Sequence, residues 1–152
     1  MRKDEWAAWR ERAVSDYADD MMRNEMITRE KAMVQAAEET DALLTEGLDT
    51  PGHRLFVGEE TGSGRRVGHL WYGPRSRNPD ATVAWLYDIY VEDSSRGQGV
   101  GRSLMHLLEV EVRVAGLRRI ELNVFGDNER AKRLYESLEY VEMARQLGKD
   151  LT

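Results

Sequence analysis

Arg96-Gly97-Gln98-Gly99-Val100-Gly101-Arg102-Ser103 decides how this chain folds, because it joins a predicted strand to a predicted helix. Upstream, Ala81 to Val91 carries β-branched and aromatic residues at alternate positions (Val83, Trp85, Tyr87, Ile89, Val91), the pattern of a strand. Downstream, Ser103 to Val114 places Leu104, Leu107, Leu108, Val110 and Val114 at helical spacing and stops at Gly116. Glycines at alternate positions let a ligand approach the backbone with no Cβ in the way. The first helical turn adds N–H groups that lack intrahelical partners. An anion is the natural occupant of such a turn.

Spacing decides which anion. A Walker A loop would need Gly at Arg96 and Lys at Arg102, and fails at both. The dinucleotide fingerprint needs Gly-x-Gly-x-x-Gly, whereas this loop is Gly-x-Gly-x-Gly. What remains is Arg96-x-x-Gly99-x-Gly101 after a strand, which resembles the acetyl-CoA pyrophosphate loop of the Gcn5-related N-acetyltransferase (GNAT) superfamily. A second motif follows a predicted strand from Arg119 to Phe125. Asn128-Glu129-Arg130-Ala131-Lys132-Arg133-Leu134-Tyr135 is similar to the Asn-x-x-Ala-x-x-Leu-Tyr helix of the same superfamily. Leu138-Glu139-Tyr140 then puts Glu where relatives commonly have Gly, a position that tolerates left-handed backbone.

The rest of the chain fits around these motifs. Two helices are predicted before Gly47, the first from Asp4 to Met22 with Trp6, Trp9, Ala13 and Tyr17 on one face, the second capped by Thr28. His53 to Glu60 and Arg65 to Tyr72 read as a hairpin around Thr61-Gly62-Ser63-Gly64, and Gly73 to Asp80 as a polar connection. The order is ααβββαβαβ, an α/β fold. The resemblance implies a mixed, mostly antiparallel sheet flanked by helices, with the first strand usual in relatives missing here. One domain over 1–152 is expected, a helical substrate-side segment over 1–47 and a cofactor-binding core over 53–145.

Composition narrows the function classes. With 22 Lys and Arg against 28 Asp and Glu, the formal net charge of −6 gives no basic patch for nucleic acid. The chain has no Cys, which excludes disulfides, thiolate metal sites and a covalent acyl-cysteine route. Its 3 His are scattered without metal-ligand spacing, so no metal site is expected. No apolar run has the length of a signal peptide or membrane span, and a cytoplasmic protein without a membrane partner is the expectation.

The resemblance implies an N-acetyltransferase that moves the acetyl group of acetyl-CoA directly to a primary amine of a small molecule or peptide. N–H groups of Gly97, Gln98, Gly99, Val100, Gly101, Arg102 and Ser103 would meet the pyrophosphate, assisted by Arg96 or Arg102. The alternative for Arg102 is a solvated side chain at a helix start. Main-chain groups of Ile89, Tyr90 and Val91 would meet the pantetheine arm, with Asn128 nearby. Tyr135 would donate a proton to the leaving thiolate; its alternative is packing on the sheet. No carboxylate stands where relatives carry a base, at Trp85 or Asn123, and Asn123 can only orient a water or an amide. A water-relayed base, or an amine arriving partly deprotonated, follows. Asp88 alternates to the face opposite Ile89 and Val91, which suits a cap or an ion pair. Acids at Asp16, Asp19, Asp20 and Glu25 either attract a cationic amine or form a solvated face. An acyl-CoA-binding sensor without activity is the rival reading, and a homodimer is compatible with the resemblance.

Overall fold

The hairpin and the long strand that follows it form one antiparallel ladder, on which everything else is built. The structure, a computed structural model, describes residues 1–25, 27–76 and 80–149, and the side chains of all these except 24 and 25. Arg77, Asn78 and Pro79 of the predicted polar connection, and the Glu25 side chain, therefore lie outside what is described. The elements are α1 (Trp6–Glu25), α2 (Arg29–Leu43), β1 (Arg54–Glu59), β2 (Arg66–Gly73), β3 (Val83–Val91), α3 (Val100–Val114), β4 (Arg119–Leu122) and α4 (Glu129–Glu136). The sheet order is β1-β2-β3-β4, antiparallel except for the parallel β3/β4 pair. Among the described residues, no helix is long and apolar enough to cross a membrane.

Two faces of the sheet are buried by different helices. Leu70, Tyr72, Ala84 and Leu86 pack against Leu104, Met105, Leu108 and Val112 of α3 and Tyr135 of α4. On the other face, Leu55 and Trp71 meet Trp9 of α1 and Leu44. Trp9 is 1% exposed, with its ring edge-on to Trp71 at 5.6 Å between centroids. Of the predicted α1 face, Trp6, Trp9 and Ala13 do pack toward the sheet, but Tyr17 does not, and Val14, Ala18 and Met21 are buried instead. Tyr17 is exposed and donates its hydroxyl hydrogen bond to Glu39 of α2 at 2.7 Å. The reason is steric: Ala18, Ala32 and Ala36 have no exposed surface, so small residues set the close approach of α1 to α2. Thr28 caps α2 as expected, its side chain accepting the N–H of Lys31 at 3.4 Å.

Three further expectations meet the structure at the chain ends and turns. A short 3-10 turn over Lys3–Glu5 leads straight into α1, and among the described residues no strand comes before the helices. The Met1 ammonium instead donates to the Leu55 carbonyl on β1 at 2.9 Å. Glu139 does adopt the left-handed backbone, at φ 64°, which costs a non-glycine residue roughly 1–2 kcal/mol. The strand expected after α4 is absent among the described residues. Residues 140–149 are neither helix nor strand, and Val141, Met143 and Leu147 are exposed, so the period-2 pattern there finds no sheet surface to cover.

Behind Trp71 sits a histidine whose protonation is linked to folding. Trp71 Nε1–H donates to His53 Nδ1 at 2.9 Å, which requires that nitrogen unprotonated, and burial pushes the His53 pKa down. With a lowered folded value, the contribution to stability is whole above the unfolded value of about 6.5 and is lost as pH falls through the folded value. The urea midpoint is therefore expected to fall between about pH 7 and about pH 5 more steeply in the parent than in His53→Gln, which retains an acceptor for Trp71. Equal slopes would remove His53 as the cause.

Candidate functional site

A β-bulge in β3 creates the site. Trp71 pairs with Asp88 but Tyr72 pairs with Leu86, so Tyr87 is an extra residue on β3. Leu86, Ile89 and Val91 pack toward α3, while Tyr87 joins Trp71 on the α1 face and Asp88 reaches His69 there. On its other edge β3 pairs with β4 only from Val83↔Arg119 to Leu86↔Leu122. β4 ends at Leu122, so from Tyr87 onward that edge has no partner strand among the described residues, and the space beside it forms a wedge. Glu92 N–H donates back to Val67 on β2 at 2.9 Å. By alternation, the main-chain groups of Val91 and Ile89 face the wedge and those of Tyr90 face β2. Tyr90, predicted as a cofactor contact, thus meets the wedge with neither backbone group.

The glycine loop closes one end of this wedge. Gly97 and Gly99 have φ of 78° and 81°, a backbone that Gly adopts without strain, and Gly99 is the N-cap of α3 with no side-chain cap. Ser103 N–H is the first used by the helix, donating to Gly99 at 3.0 Å. Among the described residues, the N–H groups from Gly97 to Arg102 meet no acceptor. Nothing lies within 4 Å of a Cβ built on Gly97 or Gly99, so the cradle is open on its outer side. These donors at the positive end of α3 fit a pyrophosphate.

The side chains around the loop are less free than the sequence reading allows. Arg96 Nε donates to the Val91 carbonyl at 3.1 Å, and its guanidinium pairs with Asp93 at 2.7 Å. Gln98 donates to the Ser94 carbonyl at 2.9 Å. Arg102 is neither free nor merely solvated: it donates to Ser137 Oγ at 2.7 Å, tying α3 to the end of α4. Gly101 faces Leu134, whose Cδ2 would stand 3.2 Å from an added Cβ, while Val100 packs against the core. Asn128 caps α4, its Oδ1 accepting the Ala131 N–H at 3.1 Å.

Tyr135 is 8% exposed in the α3-side core. Burial, with a smaller contribution from the Asp88 charge, pushes its phenol up to about 12. Asp88 of β3 is thus near enough for its charge to bear on the Tyr135 phenol. The two positions matched to the bases of relatives lie apart from Tyr135 in the chain, on β3 and just after β4. Trp85 lies under the Arg75 guanidinium, 4.8 Å from its ring centroid, and Asn123 is exposed just beyond β4. The carboxylate paired in register with Trp85, Glu121, is held by Arg75 at 3.0 Å and Arg119 at 2.9 Å.

Sequence reasoning missed a polar cluster beside the bulge. His69 on β2 is 1% exposed and its Nε2 lies 2.8 Å from Asp88 Oδ2. Its Nδ1 lies 3.1 Å from Arg66, whose guanidinium is 3.4 Å from Glu92; Arg12 of α1 reaches the same Glu92 at 3.2 Å. Asp16 of α1 faces the group, its carboxyl raised by burial and then by the Asp88 charge. Asp20, one turn on, is also raised by burial, against the lowering effect of Arg23. Asp20 is half-buried, whereas Asp16 keeps an exposed surface. A period-2 reading places Asp88 on this face, but only the β2/β3 register puts His69 beside it.

The fold and the loop together describe an α/β protein with an anion-binding turn, and comparison with known proteins specifies the family. Residues 6–140 match the acetyltransferase (GNAT) family model, and the chain belongs to that family. It is an acetyltransferase. An uncharacterized N-acetyltransferase of Bacillus subtilis (strain 168), YycN, is 26% identical over 151 residues, covering 99% of this chain and 96% of that protein. The crystal structure of the acetyltransferase YycN from Bacillus subtilis superposes with a TM-score of 0.91, covering 100% of this chain and 96% of that one at 25% identity. A mycothiol acetyltransferase of Jonesia denitrificans is 36% identical over 99 residues, 65% of this chain and 31% of that protein. The fold is shared with AAC(6')-Iy, at a TM-score of 0.60 and 17% identity over 100% of this chain and 95% of that one; its structure contains the bisubstrate analogue CoA-S-monomethyl-acetylneamine.

Proposed function

We propose that this protein transfers the acetyl group of acetyl-CoA directly to the primary amine of a small molecule or peptide. What supports the reading is the combination of an unpaired edge of β3, the N–H groups of Gly97 to Arg102 that meet no acceptor among the described residues, and Tyr135 on the same α3 side of the sheet. Acetyl-CoA, as the donor substrate, supplies an activated thioester. The loop N–H groups hold its pyrophosphate, and the inward main-chain groups of Ile89 and Val91 pair with the amides of its arm as an added strand would. Arg96, now on the Val91 carbonyl, is positioned to exchange that contact for a phosphate oxygen.

Tyr135 then acts on the sulfur. A phenol held near 12 stays protonated through the neutral range, whereas an ordinary thiol ionises near about 8.5. Tyr135 therefore stabilises the developing thiolate chiefly as a hydrogen-bond donor, strengthened by its dry surroundings. Asn123, exposed at the β4 side of the wedge, orients a water or the acceptor. The acceptor enters from the α1 face, where Asp16 and Asp88 favour a cationic amine. Release of free CoA thiol, measured across a panel of amines, peptides and amino acids, tests this reading. Amine-dependent release is expected for at least one class. Hydrolysis alone, or none with any acceptor, would overturn it.

A further inference from the structure

The buried histidine at the bulge has a geometry that the loop and Tyr135 do not explain. Arg66 has no acceptor to offer, so the 3.1 Å contact makes His69 Nδ1 the acceptor and leaves the imidazole hydrogen on Nε2. Nε2–H then donates to Asp88 Oδ2 at 2.8 Å. The ring is fixed on both faces and edges: Tyr90 stacks on it at 5.3 Å between centroids and 18° between planes, and Trp9 meets it edge-on at 6.3 Å. Asp88 keeps 28% of its side-chain surface exposed while His69 keeps 1%, so the carboxylate is the end of this chain that faces the opening. We infer that Asp88 is the general base for the acceptor amine, and that His69 is the positioning residue that aims its carboxylate.

This inference rests on the acetyl-transfer reading and supplies the base that Trp85 and Asn123 lack. The acceptor nitrogen attacks the acetyl carbonyl carbon, forming the C–N bond as the C–S bond breaks. The proton lost by that nitrogen passes to Asp88, while Tyr135 keeps its own proton and hydrogen-bonds the departing thiolate. Solvent then removes the proton from Asp88, and the CoA leaves as thiolate or takes a proton from water. The balance is amine plus thioester giving amide plus thiol. His69 of β2 hydrogen-bonds Asp88 at 2.8 Å, and Asp16 of α1 and Tyr135 of α4 are both near enough to feel its charge.

The test uses the full-length protein and the best amine from the release panel, with acetyl-CoA binding by calorimetry as the check on folding. For Asp88→Asn, kcat/KM for the amine is expected to fall about 100-fold or more with the acetyl-CoA Kd unchanged. Its kcat/KM should also rise tenfold per pH unit toward the amine's own pKa, because only free amine still reacts, where the parent levels off. His69→Gln, which keeps an N–H donor to Asp88, should stay within about threefold of the parent, while His69→Leu loses about tenfold or more in kcat. As a second reading, ¹⁵N imidazole shifts of the parent should show His69 protonated on Nε2. An Asp88→Asn enzyme with parental kcat/KM and pH profile overturns the base. Equal losses in His69→Gln and His69→Leu, or an Nδ1-protonated ring, overturn the positioning role. A parent that acetylates no amine removes the reading beneath both, a result distinct from these.

Discussion

Tyr135→Phe is expected to bind acetyl-CoA as the parent does and to turn over about 100-fold more slowly. The substitution removes one oxygen from a side chain that is 8% exposed and packed in the α3-side cluster, so the core keeps its volume and the fold is retained. What disappears is the donor to a thiolate in a dry wedge, where such a group contributes about 10² to 10³ in rate. The loss should fall on kcat and kcat/KM together, the signature of an interaction made in the transition state. Parental turnover in the variant would mean that Tyr135 serves only to pack α4 against the sheet.

Trp9→Ala carries the largest expected loss of stability, about 3–5 kcal/mol, within the range for emptying a buried aromatic site. Trp9 is 1% exposed and fills the junction of α1 with the sheet, against Trp71, His69 and Trp6. Its Nε1–H has no hydrogen-bond partner among the described residues, so the ring contributes through packing alone. Trp9→Phe discards that unpaired donor and keeps most of the contact, and should lose far less than Trp9→Ala. Chemical denaturation at constant pH measures both. A loss for Trp9→Ala below about 1 kcal/mol, the ordinary range of surface changes, would show that α1 docks by other contacts.

The cofactor end of the site is legible in the sequence because it depends on backbone conformation. Gly97 and Gly99 mark the left-handed turns, and Asn128 with Tyr135 marks a helix whose cap and buried residue lie within a few positions of each other. Glu139 was readable for the same reason, as a residue in a glycine position that does adopt φ 64°. The acceptor end was not legible. The pairing of His69 with Asp88 arises from register across β2 and β3, and the bulge at Tyr87 breaks the alternation that a strand reading relies on. Arg102 likewise finds Ser137 through the packing of α3 against α4, a contact 35 residues away in sequence. On α1 only Tyr17 was misplaced, because three alanines, whose pattern is weak, set the contact with α2 more firmly than the larger ring.

In the proposed function, the loop from Gly97 to Arg102 holds the pyrophosphate of CoA. Titration of acetyl-CoA into the protein by calorimetry, beside Gly99→Val, tests it most directly. At Gly99 the backbone φ of 81° is strained for Val, and its side chain would stand in the cradle that is open within 4 Å. The account predicts saturable binding by the parent and a Kd at least about tenfold weaker in the variant, equivalent to about 1.4 kcal/mol. Absence of binding by the folded parent at millimolar acetyl-CoA, or equal affinity in the folded variant, would contradict it.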